Sequence, residues 1–166
     1  MSLTEEAFCE RHPTPVLLFS NVHAGSMTPV KKTRTPTVDR LIVGETPRDG
    51  ARSVGPTDWY VVFDLVSKTP ATARISLGCS SSCDVRLDDA SISRVHAWVT
   101  ATSHGHYLED ADSSAGTAIN GSTLEQSQIV QLKSGDRISL GNVDLVFLPS
   151  ADFYTFVRRL SGFWGG

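Results

Sequence analysis

From Trp59 to Leu148 the chain repeats one device: a short alternating or β-branched apolar stretch, then glycine or another turn residue. Residues 59–66 are rich in aromatic and β-branched side chains, the composition of a strand. In residues 74–77, Ile75 and Leu77 fall on one side and Arg74 and Ser76 on the other. Residues 84–87 alternate likewise, and strands are predicted over 97–102, 107–109, 117–119, 129–132, 137–140 and 143–148. Pro70, Gly105, Gly121, Gly135 and Gly141-Asn142 punctuate the series. Many short strands at close spacing, with no helical segment between them, predict an all-β sandwich of two antiparallel sheets.

The ends read differently. A short helix is predicted over residues 3–11, with Glu5 and Glu6 in its first turn, where acidic groups favour the helix dipole. Residues 16–19 and 41–43 are brief apolar runs suited to strands, whereas 21–40 and 46–57 carry prolines, glycines or polar residues and read as linker and loop. At the C-terminus, Ser150 is placed to cap a helix over 151–160. Phe153, Phe156, Val157 and Leu160 form its apolar stripe, with Arg158 and Arg159 near its end. The expected organisation is an N-terminal extension over 1–57, a β domain over 58–149, and a C-terminal helix and tail over 150–166.

Composition excludes several function classes. With 166 residues, 40% hydrophobic and 20% charged, the chain suits one packed domain with extensions. A net charge of −3 argues against nucleic acid, whose backbone demands a basic face. The longest apolar run, 16–19, is far too short to span a bilayer, and no charged segment followed by an apolar one opens the chain as a secretory signal. Three cysteines, Cys9, Cys79 and Cys83, form no disulfide framework and suit a reducing, cytoplasmic setting. Cys79 and Cys83 with His104 and His106 do not have the spacing of a zinc finger, so no metal and no cofactor are expected.

The motifs lie in the second half. Leu77-Gly78 is followed by Asp84-Val85-Arg86-Leu87 and by Ser91-Ile92-Ser93-Arg94-Val95-His96-Ala97. Gly116-Thr117-Ala118-Ile119-Asn120-Gly121 and Gly135-Asp136-Arg137-Ile138 come next. In this order and spacing they resemble the forkhead-associated (FHA) family over residues 59–148. The resemblance implies a β-sandwich that reads phosphothreonine peptides through its loops and acts in signalling. It also implies roles. An arginine directly after the first glycine pairs with the phosphate, the serine of Ser-Arg-x-His donates to it, and an asparagine before Gly-Thr grips the peptide backbone. Ser93 and Arg94 match, with Asn120, Ser80 and Ser81 as further contact candidates. Gly78, His96, Gly116, Thr117 and Gly121 match as loop scaffold. Two positions depart: Cys79 stands for the arginine and Ala115 for the asparagine.

These departures matter chemically. A phosphate carries roughly −1.5 to −2 charges and three strong acceptor oxygens. Cys79 has neither a positive charge nor a planar fork, and Ala115 has no side-chain donor or acceptor. Two functions therefore stand open: an interaction module that has lost or weakened phosphothreonine recognition, or a working reader with a non-standard cradle built from Arg86, Arg94 or the 80–82 serines. In either case the expected partner is a protein or (phospho)peptide, with oligomeric state left open. Ser93, His96 and Asp112 contain the residue types of a hydrolytic triad, but no Gly-x-Ser-x-Gly elbow accompanies them, so no catalytic residue is expected. Thr46 with Asp49 three positions on is a faint hint of self-recognition.

Overall fold

The computed structural model describes residues 4–20, 40–43, 59–69 and 71–161. The expected linker at 21–39, the loops over 44–58, Pro70, the Thr46 motif and Phe163-Trp164 lie outside the described residues, as do the side chains of Trp59, Tyr60 and Leu160. The chain runs through α1 (Glu5–Arg11), β1 (Val16–Ser20), β2 (Arg40–Val43), β3 (Trp59–Asp64), β4 (Arg74–Gly78) and β5 (Val85–Arg86). It continues through β6 (Ala97–Thr102), β7 (Gly105–Asp110), β8 (Thr117–Ile119), β9 (Ser122–Thr123) and β10 (Ile129–Gln131). It closes with β11 (Arg137–Leu140), β12 (Val143–Leu148) and α2 (Ser150–Ser161).

Two sheets result, a 7-stranded one in the order β2-β3-β1-β12-β11-β8-β9 and a 5-stranded one in the order β10-β7-β6-β4-β5. The alternation of β12 shows how they face each other. Val143, Leu145 and Phe147 enter the main core with Ile75, Leu77, Val99, Leu108 and Ile138, while Val146 and Leu148 turn to the opposite face. Among the described residues all pairings are antiparallel except one: β5 runs parallel to the end of β4, Leu77 against Val85 and Gly78 against Arg86. The loop over 79–84 swings out and returns the chain beside the strand it has just left.

Residues 16–20, assigned by sequence to the extension, lie inside the larger sheet, between β3 and β12. Leu17 enters the main core, while Val16 and Leu18 enter a second core on the outer face of that sheet. A strand buried on both faces has no polar side to show, which explains the unbroken apolar run. The second core is closed by the helices, through Phe8 of α1 and Phe153 and Tyr154 of α2. The Phe8 ring centroid lies 5.6 Å from that of Phe153 and 5.3 Å from that of Tyr154. Thr4 caps α1 by accepting from Ala7 N–H at 3.4 Å. Ser150 does not act as the expected cap. It is the first helical residue, and its hydroxyl donates to the His12 carbonyl, tying α2 to the end of α1. The helix packs on the body as its stripe predicts, with Phe156 and Val157 at the margin of the second core.

Candidate functional site

The motif residues converge where three loops meet: 79–84 between β4 and β5, 87–96 between β5 and β6, and 111–116 between β7 and β8. Gly78 is buried at the first junction. A Cβ there would collide with the Arg94 carbonyl and lie 2.9 Å from Cys83 Sγ, so only glycine lets the two loops approach this closely. Main-chain bonds lock that approach: Cys79 N–H donates to Ser93 O at 3.0 Å and Ser80 N–H to Arg94 O at 3.1 Å. The thiol of Cys83, 1% exposed, donates to the same Arg94 carbonyl at 3.1 Å. Burial pushes that thiol's pKa up, which keeps it protonated as the donor this contact needs.

His96 is fully buried and joins the other two loops. Its Nδ1 accepts from Ser93 N–H at 3.0 Å, and its Nε2 lies 3.0 Å from the Gly116 carbonyl. A ring nitrogen that accepts an N–H carries no proton, so the proton is on Nε2, which donates to Gly116. Both ring nitrogens are thus committed to main chain. Ser93 Oγ accepts from Ser114 N–H at 3.0 Å rather than facing the imidazole, and Asp112 is exposed at φ +60°. Ser93, His96 and Asp112 therefore form no relay; the His96 ring ties the Ser93 segment to Gly116. Gly116, at φ +83°, turns the chain where its carbonyl must meet His96.

Sequence reading missed Asp110, the anchor of the third loop. Its Oδ1 accepts from Ser113 Oγ at 2.6 Å and from Thr117 Oγ1 at 2.5 Å, and its Oδ2 from Ser113 N–H at 2.9 Å. The Asp-x-x-Ser spacing of Asp110 and Ser113 was the available signal for this turn. Asp84 plays a similar part beside the first loop, accepting from Ser76 N–H at 2.7 Å and Lys68 N–H at 2.5 Å. Burial alone would raise both carboxyls. The hydrogen bonds from Ser113 and Thr117, and from Ser76 and Lys68, outweigh it and hold each below the ordinary carboxylate range. A carboxyl with a depressed folded pKa stabilises fully above its unfolded value and loses that contribution as pH falls through the folded value. Thermal stability should therefore fall below about pH 4, and Asp110→Asn should flatten that acid limb. Melting curves across this range check it; an unchanged slope in Asp110→Asn would contradict it.

The contact candidates divide. Ser93 keeps a hydroxyl proton uncommitted, since its only hydrogen bond among the described residues through Oγ is the one it accepts. Arg94 is exposed, and its guanidinium has no partner among the described residues. Ser80 Oγ and Ser82 Oγ bond each other at 2.8 Å, while Ser81 is exposed. Asn120 is engaged elsewhere: its Oδ1 accepts from Arg137 N–H and its Nδ2 donates to Asp136, each at 2.9 Å. Its φ of +50°, followed by Gly121 at +85°, makes it part of the turn between β8 and β9. Cys79 is half-buried with its side chain against the main core, and Ala115 is exposed. Two further cations border the first loop. Arg86 Nε donates to the Cys79 carbonyl at 3.3 Å, and Lys68 Nζ donates to the carbonyls of Ser81 and Cys83. Among the described residues no group of three or more His, Cys, Asp or Glu could hold a metal ion. His106, raised as a ligand, instead lies against Phe147, 5.7 Å between ring centroids.

Fold and loops together define a β-sandwich that presents a braced loop cluster beyond its strand ends. Residues 75–141 match the family model of the FHA domain. Across 55 residues it is 49% identical to protein FraH of Nostoc sp., a match covering 33% of this chain and 19% of FraH. Across 95 residues it is 32% identical to the ABC transporter ATP-binding/permease protein Rv1747 of Mycobacterium tuberculosis, covering 57% of this chain and 10% of that one. The chain thus matches only a small part of either relative's length. Among solved structures, it is similar to the N-terminal FHA domain of S. cerevisiae Rad53p in complex with a phosphothreonine peptide. That similarity has a TM-score of 0.47 at 22% identity and covers 57% of this chain and 89% of the other. No helix among the described residues is long and apolar enough to cross a membrane.

Proposed function

We propose that this chain is a non-catalytic protein-interaction module of FHA type in which phosphothreonine recognition is lost or weakened. One observation carries the reading. Cys79, where the family resemblance puts the phosphate-pairing arginine, rests its side chain against the core instead of presenting charge. Exposed Ala115 adds no peptide-gripping group at the neighbouring loop. Removing one side of a hydrogen-bonded charge pair costs about 2–5 kcal/mol, and each 1.4 kcal/mol is about tenfold in affinity. A reader of micromolar strength would fall to between tens of micromolar and a few millimolar on the arginine alone, roughly 30- to 4000-fold. The module is assigned to residues 58–149 with β1 completing its larger sheet, and the three free cysteines suit a cytoplasmic setting. Its partner is a protein or peptide.

A second reading, a phosphothreonine-binding signalling domain with a non-standard cradle, is favoured by the placement of Arg86 at the Cys79 carbonyl and by Arg94, whose guanidinium meets no partner among the described residues. An amide NMR titration with a phosphothreonine peptide library beside its unphosphorylated twin separates the two. The first reading expects shifts at 79–84 and 111–116 that are weak or indifferent to the phosphate. Saturable shifts that require the phosphate would establish the second.

A further inference from the structure

Among the described residues, the 5-stranded sheet ends at β10, which pairs on one side only. Strand β10 pairs with β7 in the register Ile129–Glu109, Val130–Leu108, Gln131–Tyr107. In the same register, Leu132 N–H donates to His106 O at 2.8 Å. Antiparallel ladders alternate, so Val130 and Leu132 turn their main-chain groups toward β7. Ile129 and Gln131 turn theirs outward, where among the described residues they meet no partner. Edge strands are commonly protected by a charge, a proline or extreme shortness. β5 and β9 have 2 residues each, and β5 carries Arg86. β10 carries neither charge nor proline, and its Ile129 side chain is 60% exposed.

We propose that β10 is a self-association edge, pairing antiparallel with β10 of a second copy of this chain about a two-fold axis at Val130. That register sets Ile129 opposite Gln131 of the second copy, and Gln131 opposite its Ile129. These are the residues whose N–H and C=O groups face outward, so each pair exchanges both of its main-chain hydrogen bonds. Val130 meets its own counterpart. The flanks are complementary too: exposed Glu125 precedes the strand and exposed Lys133 follows it, and an antiparallel pairing brings each toward the other's end. The result is one continuous sheet across two molecules. The loop over 79–84 adjoins β5 at the opposite edge of the sheet, so that loop stays uncovered in both copies and the pair presents it twice toward a multivalent partner.

Sedimentation velocity of the full chain from micromolar to millimolar concentration tests this. A reversible monomer–dimer equilibrium is expected, together with concentration-dependent protection of the Ile129 and Gln131 amides in hydrogen exchange. Ile129→Lys places a charge on the seam and should weaken the dimer at least about tenfold without lowering the melting temperature. Ile129→Pro removes an N–H that donates nothing to β7, and should act the same way. If the proline variant folds poorly, Ile129→Lys alone carries the decision. A chain that stays monomeric at millimolar concentration overturns the proposal. So does a dimer indifferent to Ile129→Lys, which would place the contact on another face.

Discussion

Replacing Phe153 with Ala is expected to cost about 3–5 kcal/mol of stability, the range for truncating a fully enclosed phenylalanine. Phe153 is 1% exposed, the largest of the fully buried side chains among the described residues, and lies in the second core, where it meets Phe8 and borders Val16, Leu18 and Val62. The cavity would open between α1, α2 and the outer face of the larger sheet. It cannot collapse easily, because Ser150 already fixes the start of α2 to His12. Urea unfolding measures the loss. A change under about 1 kcal/mol would mean that the helices add little to the fold and that the sandwich stands without them.

Restoring the two departed residues should have the largest effect on binding. Cys79→Arg with Ala115→Asn is expected to raise affinity for phosphothreonine peptides at least about thirtyfold, the lower end of what a charge-paired fork contributes. The remaining parts are in place. Gly78 allows the loops to approach, His96 braces Ser93 and Gly116, and the Ser93 hydroxyl proton is uncommitted. Cys79 sits at the margin of the core and is half-buried, so an arginine stem can follow that margin while its fork reaches water. The gain should vanish with the unphosphorylated peptide, since the fork acts on charge. It should also shrink when Ser93→Ala is added. Fluorescence anisotropy of a labelled peptide reads all of these; an equal gain for both peptides would contradict the assigned role of position 79.

Much of this was legible before the structure. The strands over 97–102, 117–119, 137–140 and 143–148 are found at those bounds, because each couples clean alternation with turn residues on both sides. β9 was missed, since Ser122 and Thr123 are exposed and a pair of polar residues has no periodicity. The parallel setting of β5 is equally invisible, for alternation fixes a strand's faces and not its neighbour. Tyr154 is buried outside the apolar stripe assigned to α2, because the helix meets both α1 and the sheet and hides a wider arc. The loop cluster was legible only as a list of residue types. Ser93, His96 and Gly116 could be placed by resemblance, but Asn120's engagement depends on Asp136 and Arg137, which the fold alone brings near. Asp110's reach to Thr117 likewise needs the loop to close.

Under the proposed function, the loop cluster is expected to hold phosphate weakly or not at all. Isothermal calorimetry of the unmodified chain, with a phosphothreonine peptide and its unphosphorylated twin, tests it most directly. The account predicts no dissociation constant tighter than about millimolar for the phosphorylated peptide, and similar heats for the two. Micromolar binding that disappears with the phosphate would contradict it and would identify Arg86, Arg94 or the 80–82 serines as a replacement cradle.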